Sequence, residues 1–151
     1  MKDALKIKKK LFEACVLFVE NRRTTVVHTI ESSKKDLLSE TKSSAGDKHE
    51  TGRAMVQLEM EKAGQQLTVV DQMKEQLDKI DANQTSEIVC LGSLIITSSL
   101  AYYLSISMGK ITLNGKEYYA VSSNSPIGKQ LLGKRKGYVI PFNLSSVILV
   151  I

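Results

Sequence analysis

The chain has 151 residues, 42% of them hydrophobic and 25% charged, and a net charge of +5. A chain of that size and composition forms one domain or two small ones and has no room for a large enzyme cleft. The charge is uneven: residues 1–87 carry fifteen basic and fifteen acidic residues, whereas residues 88–151 carry six basic residues against the single acid Glu117. A small basic domain attracts acidic protein surfaces or nucleic acid, although solubility alone accounts for the same excess.

The first ten residues, MKDALKIKKK, are too charged for a secretory signal. Cys15 and Cys90 lie far apart in apolar runs without CxxC spacing, so a reducing, cytoplasmic setting and two buried thiols are expected. The cluster Lys6 to Lys10 is either a solvated helix face or a contact for RNA or phosphate. Leu5, Phe12, Val16, Val19, Val26, Ile30 and Leu37 recur at spacings of three and four, with Lys9, Arg23 and Ser33 in the gaps, which predicts a long helix with a heptad seam. The β-branched run Thr24 to Ile30 weakens that prediction locally.

The stretch SSAGDKHETG, Ser43 to Gly52, then interrupts the pattern with small and polar residues. Beyond it Val56, Met60, Ala63, Leu67, Val70, Leu77 and Ile80 resume a similar seam, with Met73 near the missing position. Two such helices joined by a short polar link predict an antiparallel hairpin over 1–84, with an acidic tip near 46–52 where Gly46 and Gly52 let the chain reverse. Asp47 at the tip would serve equally as an ordinary helix cap. His49 stands beside two acids but lacks a second nitrogen or sulfur partner for zinc.

After the polar linker Asp81 to Glu87, the region 85–151 is β-rich. Ile88 to Met108 has no charged residue, long enough to span a bilayer, but Gly92 and six Ser or Thr residues favour buried strands over a membrane anchor. Asn114-Gly115 between two β-prone runs predicts a hairpin with a type I′ turn. Ser125 as N-cap, Pro126 in the first helical position and Gly133 as stop predict a short helix, and one or two strands follow. Lys134, Arg135 and Lys136 fall at the turn after it, available to an acidic protein surface or RNA. No Ser-His-Asp, Cys-His or glycine-rich phosphate loop is evident, so independent catalysis is not expected.

A long helical hairpin with Gly46, Asp47 and Glu50 at its tip, followed by Ser122, Ser125, Pro126, Ile127, Gly128, Leu131, Leu132, Gly133 and Lys134, resembles the bacterial Gre transcript-cleavage factors. The resemblance runs over essentially the whole chain. It implies an α+β fold, a coiled-coil hairpin followed by a small FKBP-like domain that docks on bacterial RNA polymerase through the region of Ser125, Pro126, Lys134, Arg135 and Lys136. It further implies that the hairpin enters the secondary channel, where Asp47 and Glu50 help hold a polymerase Mg2+ for cleavage of backtracked RNA by the polymerase's own site. The protein would bring no cofactor of its own and take no small-molecule substrate or membrane; the nascent RNA 3′ end is a further contact the reading admits. The family commonly continues past the glutamate with Asn, any residue, an acid and an aromatic, whereas Thr51, Gly52, Arg53 and Ala54 stand here. A regulator that occupies the channel without stimulating cleavage is the alternative.

Overall fold

In the computed structural model the backbone is described for residues 2–42 and 46–151, and side chains for 2–39 and 51–151. The fold is α+β: two long helices, α1 (Lys2–Lys42) and α2 (Gly46–Asp78), precede β1 (Leu94–Thr97), β2 (Ala101–Ser105), β3 (Gly109–Leu113), β4 (Lys116–Ser122), α3 (Pro126–Leu131) and β5 (Val147–Val150). Two compact units result, one formed by Met1–Phe18 with Met73–Ile151 and the other by Val19–Gln72. Among the described residues no helix is long and apolar enough to cross a membrane.

In the second unit the threonines that weakened the helix prediction are absorbed by the helix itself. The hydroxyls of Thr24, Thr25 and Thr29 donate to the carbonyls of Glu20, Asn21 and Thr25 at 3.0, 3.0 and 3.1 Å. Their polar atoms are thus satisfied one turn back, and α1 runs through unbroken. Val19, Val26 and Ser33 are buried on α1, and Ala63 and Val70 on α2. Arg23 Nε meets Asp71 Oδ1 at 3.4 Å with both side chains half exposed, a pair worth at most about 1 kcal/mol in water.

The first unit is built on a five-stranded sheet of order β3-β4-β2-β1-β5. β2 and β4 run parallel, with Tyr102 opposite Tyr119 and Leu104 opposite Val121; the remaining pairs are antiparallel. The β3–β4 hairpin turns at Asn114 (φ 50) and Gly115 (φ 78), the two positive values a type I′ turn needs. One face of the sheet, carrying Tyr102, Leu104 and Ile95, packs against Leu131 of α3 and Ile140, and full burial of a leucine such as Leu131 contributes about 2 kcal/mol. The uncharged run divides into β1 and β2, preceded by a turn over 90–93 and by an exposed Ile88 and a buried Val89.

The opposite face carries Tyr103 and Ser105 and meets the first turns of α1. Here the structure departs from the heptad reading. Lys8, Leu11 and Cys15 are the buried positions, whereas Leu5, Phe12 and Val16 are only partly covered. The cause is that this end of α1 faces the sheet, and a lysine supplies one of the inward positions. Lys8 Nζ donates to the Gln84 carbonyl at 2.7 Å and the Ile151 carbonyl at 3.1 Å. Cys15 Sγ lies 3.6 Å from Ser105 Oγ. Cys90, expected to be buried, is exposed: it sits at a corner where Ser93 Oγ accepts from its amide at 2.9 Å and lies 3.6 Å from its thiol.

Burial pushes the Lys8 ammonium below its ordinary pKa, against weaker support from Cys90 and Asp81. Between that lowered value and the ordinary lysine range the unfolded chain binds more protons, so this group makes stability rise with pH and fall as pH drops through the folded value. Urea midpoints measured between pH 7 and pH 10 are expected to climb for the wild type relative to Lys8→Met. Parallel curves would remove Lys8 as the cause.

Tyr103 is fully buried and, among the described residues, its hydroxyl has no hydrogen-bond partner. Desolvation, with the neighbouring Cys15 thiol, raises the phenol well above its ordinary range. Tyr103→Phe removes a polar atom whose burial costs about 1–3 kcal/mol, so thermal unfolding should shift upward. A downward shift would mean that the hydroxyl is satisfied.

Candidate functional site

Two places carry the residues singled out from the sequence, and they belong to different units. The first is the start of α2. The helix already begins at Gly46, so Asp47 and Glu50 stand in its opening turn, three positions apart, a spacing at which helix positions are neighbours. Ser43, Ser44 and Ala45, the other part of the expected polar link, lie outside the described residues, as do the side chains of Asp47 and Glu50. Acids in a first turn also oppose the positive end of the helix dipole, so the placement serves helix stability as well. Gly52 was expected to help the chain reverse; instead it lies inside α2. An interior glycine costs roughly 1 kcal/mol relative to alanine, which the long continuous helix around it can absorb. Among the described residues no group of three or more His, Cys, Asp or Glu could hold a metal ion.

The second place is the segment from Ser122 to Lys136. Ser125 has extended backbone, and its hydroxyl donates to the Ser122 carbonyl at 2.6 Å while accepting from the Gly128 amide at 3.1 Å. Pro126 opens α3, where its missing N–H costs nothing. A Cβ on Gly128 would collide with the Ser122 carbonyl oxygen. The chain leaves α3 through Gly133 at φ +80, whose amide donates to the Val89 carbonyl at 2.8 Å; the Val89 amide in turn donates to the Lys134 carbonyl at 2.8 Å. Ser125 and Gly128 therefore hold the turn together. Any partner contact at Ser125 and Pro126 would rest on the shape of that turn, because the Ser125 hydroxyl is already engaged twice.

The three basic residues that follow have separate settings. The Lys134 ammonium sits 4.8 Å from the centroid of the Tyr138 ring, and the Tyr138 hydroxyl donates to Gln130 Oε1 at 3.0 Å. Arg135 and Lys136 line a cleft of about 450 Å³ with Glu87, Leu149 and Val150. Nothing in the sequence joined Glu87, at the end of the linker, to the last strand.

The N-terminal lysine cluster also divides. Lys8 is buried, while Lys6 and Lys10, one turn apart, line a second cleft of about 250 Å³ with Asp3, Lys116 and Tyr118. The four-residue spacing of Lys6 and Lys10 was the available sign that they share a side; Lys116 could be added only by the fold. The sequence matches no protein-family model and has no significant match among curated proteins.

The two glycines around α3 separate space from conformation. Gly128→Ala should destabilise the protein by about 3 kcal/mol, since a methyl group would be forced onto a backbone carbonyl. Gly133→Ala meets open space and should cost only about 1–2 kcal/mol for its left-handed backbone. Chemical denaturation of both variants tests the order, and equal losses would contradict it.

Proposed function

We propose that the chain is a Gre-type regulator of bacterial RNA polymerase. In this reading α1 and α2 fold back as an antiparallel hairpin that enters the secondary channel, and the sheet-bearing part is an FKBP-like domain that docks on the enzyme's exterior. Asp47 and Glu50 then assist the polymerase's own cleavage of backtracked RNA in the cytoplasm. The observation that carries the reading is that Asp47 and Glu50 occupy the opening turn of the second of two long helices.

Further support comes from the Arg23–Asp71 pair, whose sequence midpoint, position 47, lies one residue into α2 and so close to where the two helices of an antiparallel fold-back would join. The capped turn at Ser125 and the tight Gly128 give the Ser122–Lys134 motif a structural reason for its residue types. Two carboxylates are hard oxygen ligands suited to Mg2+, yet too few to hold it alone, so they would complete a site that polymerase supplies. Bound there, the ion would stabilise the attacking and leaving oxygens of phosphodiester cleavage. This protein's part is to bring the two acids to the metal on a narrow tip, without an active site of its own.

A second reading, a regulator that occupies the channel without stimulating cleavage, is favoured by one observation. Helix α2 continues through Thr51, Gly52, Arg53 and Ala54, which lack the acid and aromatic of the family pattern. A backtracked elongation complex distinguishes the two. With the wild type, faster release of short 3′ RNA fragments is expected, and Asp47→Asn with Glu50→Gln should reduce it at least about tenfold, a loss of the size seen when metal-site support is removed, with polymerase affinity unchanged. Slowed elongation without fragments would establish the second reading. Full activity in the double variant would reduce the acids to helix-end residues.

A further inference from the structure

The sheet ends at β5, and among the described residues no strand lies beyond it. The far side of β5 is occupied only at its start, where Val147 accepts from the Gly137 amide and donates to the Tyr138 carbonyl, both at 2.8 Å. From there the strand continues through Ile148 and Leu149, which are 48% and 41% exposed. An exposed, apolar edge strand is a template for another strand, and native sheets usually blunt such edges with charge, proline or a covering element. Val147 to Val150 carries neither charge nor proline, and its blunting is confined to its four-residue length and a register shift against β1 between Ile96 and Thr97. The charges stand beside it instead: Arg135 and Lys136 line the cleft that Leu149 and Val150 border, with Glu87 the one acid there.

We propose that this edge is a docking site for an extended acidic segment of a partner protein, which adds to β5 as a sixth strand. The backbone N–H and C=O of Val150 face away from β1, because its neighbour Ile151 is the residue that exchanges hydrogen bonds with Leu94, and such groups select an extended polypeptide. The charge selects its sign: residues 88–151 hold six basic residues and one acid, so a basic strand or a second copy of this chain would meet like charge. Apolar side chains at alternate positions of the incoming strand would cover Leu149, while carboxylates between them reach Arg135 and Lys136. Glu87 opposes such a ligand and limits its affinity. The surface depends on its edge and charge alone and would stand without the polymerase reading.

The test uses the full chain, isotope-labelled, with an eight-residue peptide of alternating glutamate and valine. Amide shifts are expected at 135, 136 and 148–150, together with slowed hydrogen exchange of the Val150 amide, which faces away from β1. Arg135→Glu with Lys136→Glu should weaken binding about tenfold, and Glu87→Gln should tighten it about twofold, as expected for charges beside an interface. The same peptide with lysine in place of glutamate should leave the spectrum unchanged. Absence of shifts, shifts centred elsewhere, or equal binding of the lysine peptide would overturn the proposal. So would unchanged exchange at Val150, which would mean side-chain attraction without strand addition. Equal shifts with a single-stranded oligothymidylate would assign the surface to nucleic acid and overturn it as well.

Discussion

The Lys8 ammonium ties together three parts of the chain that are remote in sequence. Its two hydrogen bonds run to the carbonyl of Gln84, in the linker after α2, and to that of Ile151, just past β5. The Ile151 amide and carbonyl in turn pair with Leu94 at the start of β1. One side chain thus joins the first helix, the linker and the closing pair of strands. Burying an ammonium is expensive, and well-packed apolar residues often hold such a position more stably. What a methionine could not supply is a donor for two inward-facing carbonyls, and leaving those unpaired carries its own desolvation cost. The lysine fixes which turn of α1 faces the sheet, and Leu11 and Cys15 follow from that choice, at three and seven residues along the helix.

That choice also marks where the sequence stopped being readable. From Val56 to Ile80 every seam residue is buried or partly buried, because an apolar stripe with no competing charge has one way to face inward. From Leu5 to Val16 a stripe existed, but so did a second one through Leu11 and Cys15, and periodicity could not rank the two when the deciding residue was a lysine. The local turns were legible because their chemistry is local: Asn114-Gly115 needs two positive φ values, and Ser125-Pro126 caps and opens a helix within four residues. Cys90 was misread for the opposite reason. Its apolar neighbours suggested burial, yet it opens the four-residue turn Cys90 to Ser93 at the surface, with Ser93 Oγ beside both its amide and its thiol. Of the candidate sites, the composition of the α3 segment was visible in the sequence, but the meeting of Glu87 with Arg135, Lys136 and Leu149 depends on strand order.

One backbone feature near that edge had no sequence signature. Leu144 has φ 57, a left-handed conformation that costs a leucine roughly 1–2 kcal/mol, and its side chain is 77% exposed. The turn that imposes it is closed by the Leu144 amide on the Ile140 carbonyl, the Ile140 amide on the Ser145 carbonyl, and Asn143 Oδ1 accepting from the Ser145 amide. Glycine would relieve the strain at Leu144. The hydrogen bonds around it fix the turn, so the large apolar side chain is held outward rather than folded away. With Phe142, also 62% exposed, it extends the apolar surface of the segment that leads into β5.

The fold also redistributes charge in a way that position along the chain conceals. Counted by sequence, the positive excess sits after residue 87. Counted by compact unit, Met1–Phe18 with Met73–Ile151 holds thirteen Lys and Arg against seven Asp and Glu, whereas Val19–Gln72 holds eight against nine. The lysines that begin α1 therefore belong with those of the sheet, and Lys6 and Lys10 share a cleft with Lys116. A unit of that sign attracts acidic surfaces over a range of about 8–10 Å at ordinary ionic strength, while the helical unit carries almost no net charge. On the proposed reading this divides the work physically: the sheet-bearing unit supplies the long-range attraction and orientation. The helical unit, nearly neutral, adds little to capture, and two carboxylates at the start of α2 can be specialised for chemistry without being needed for docking.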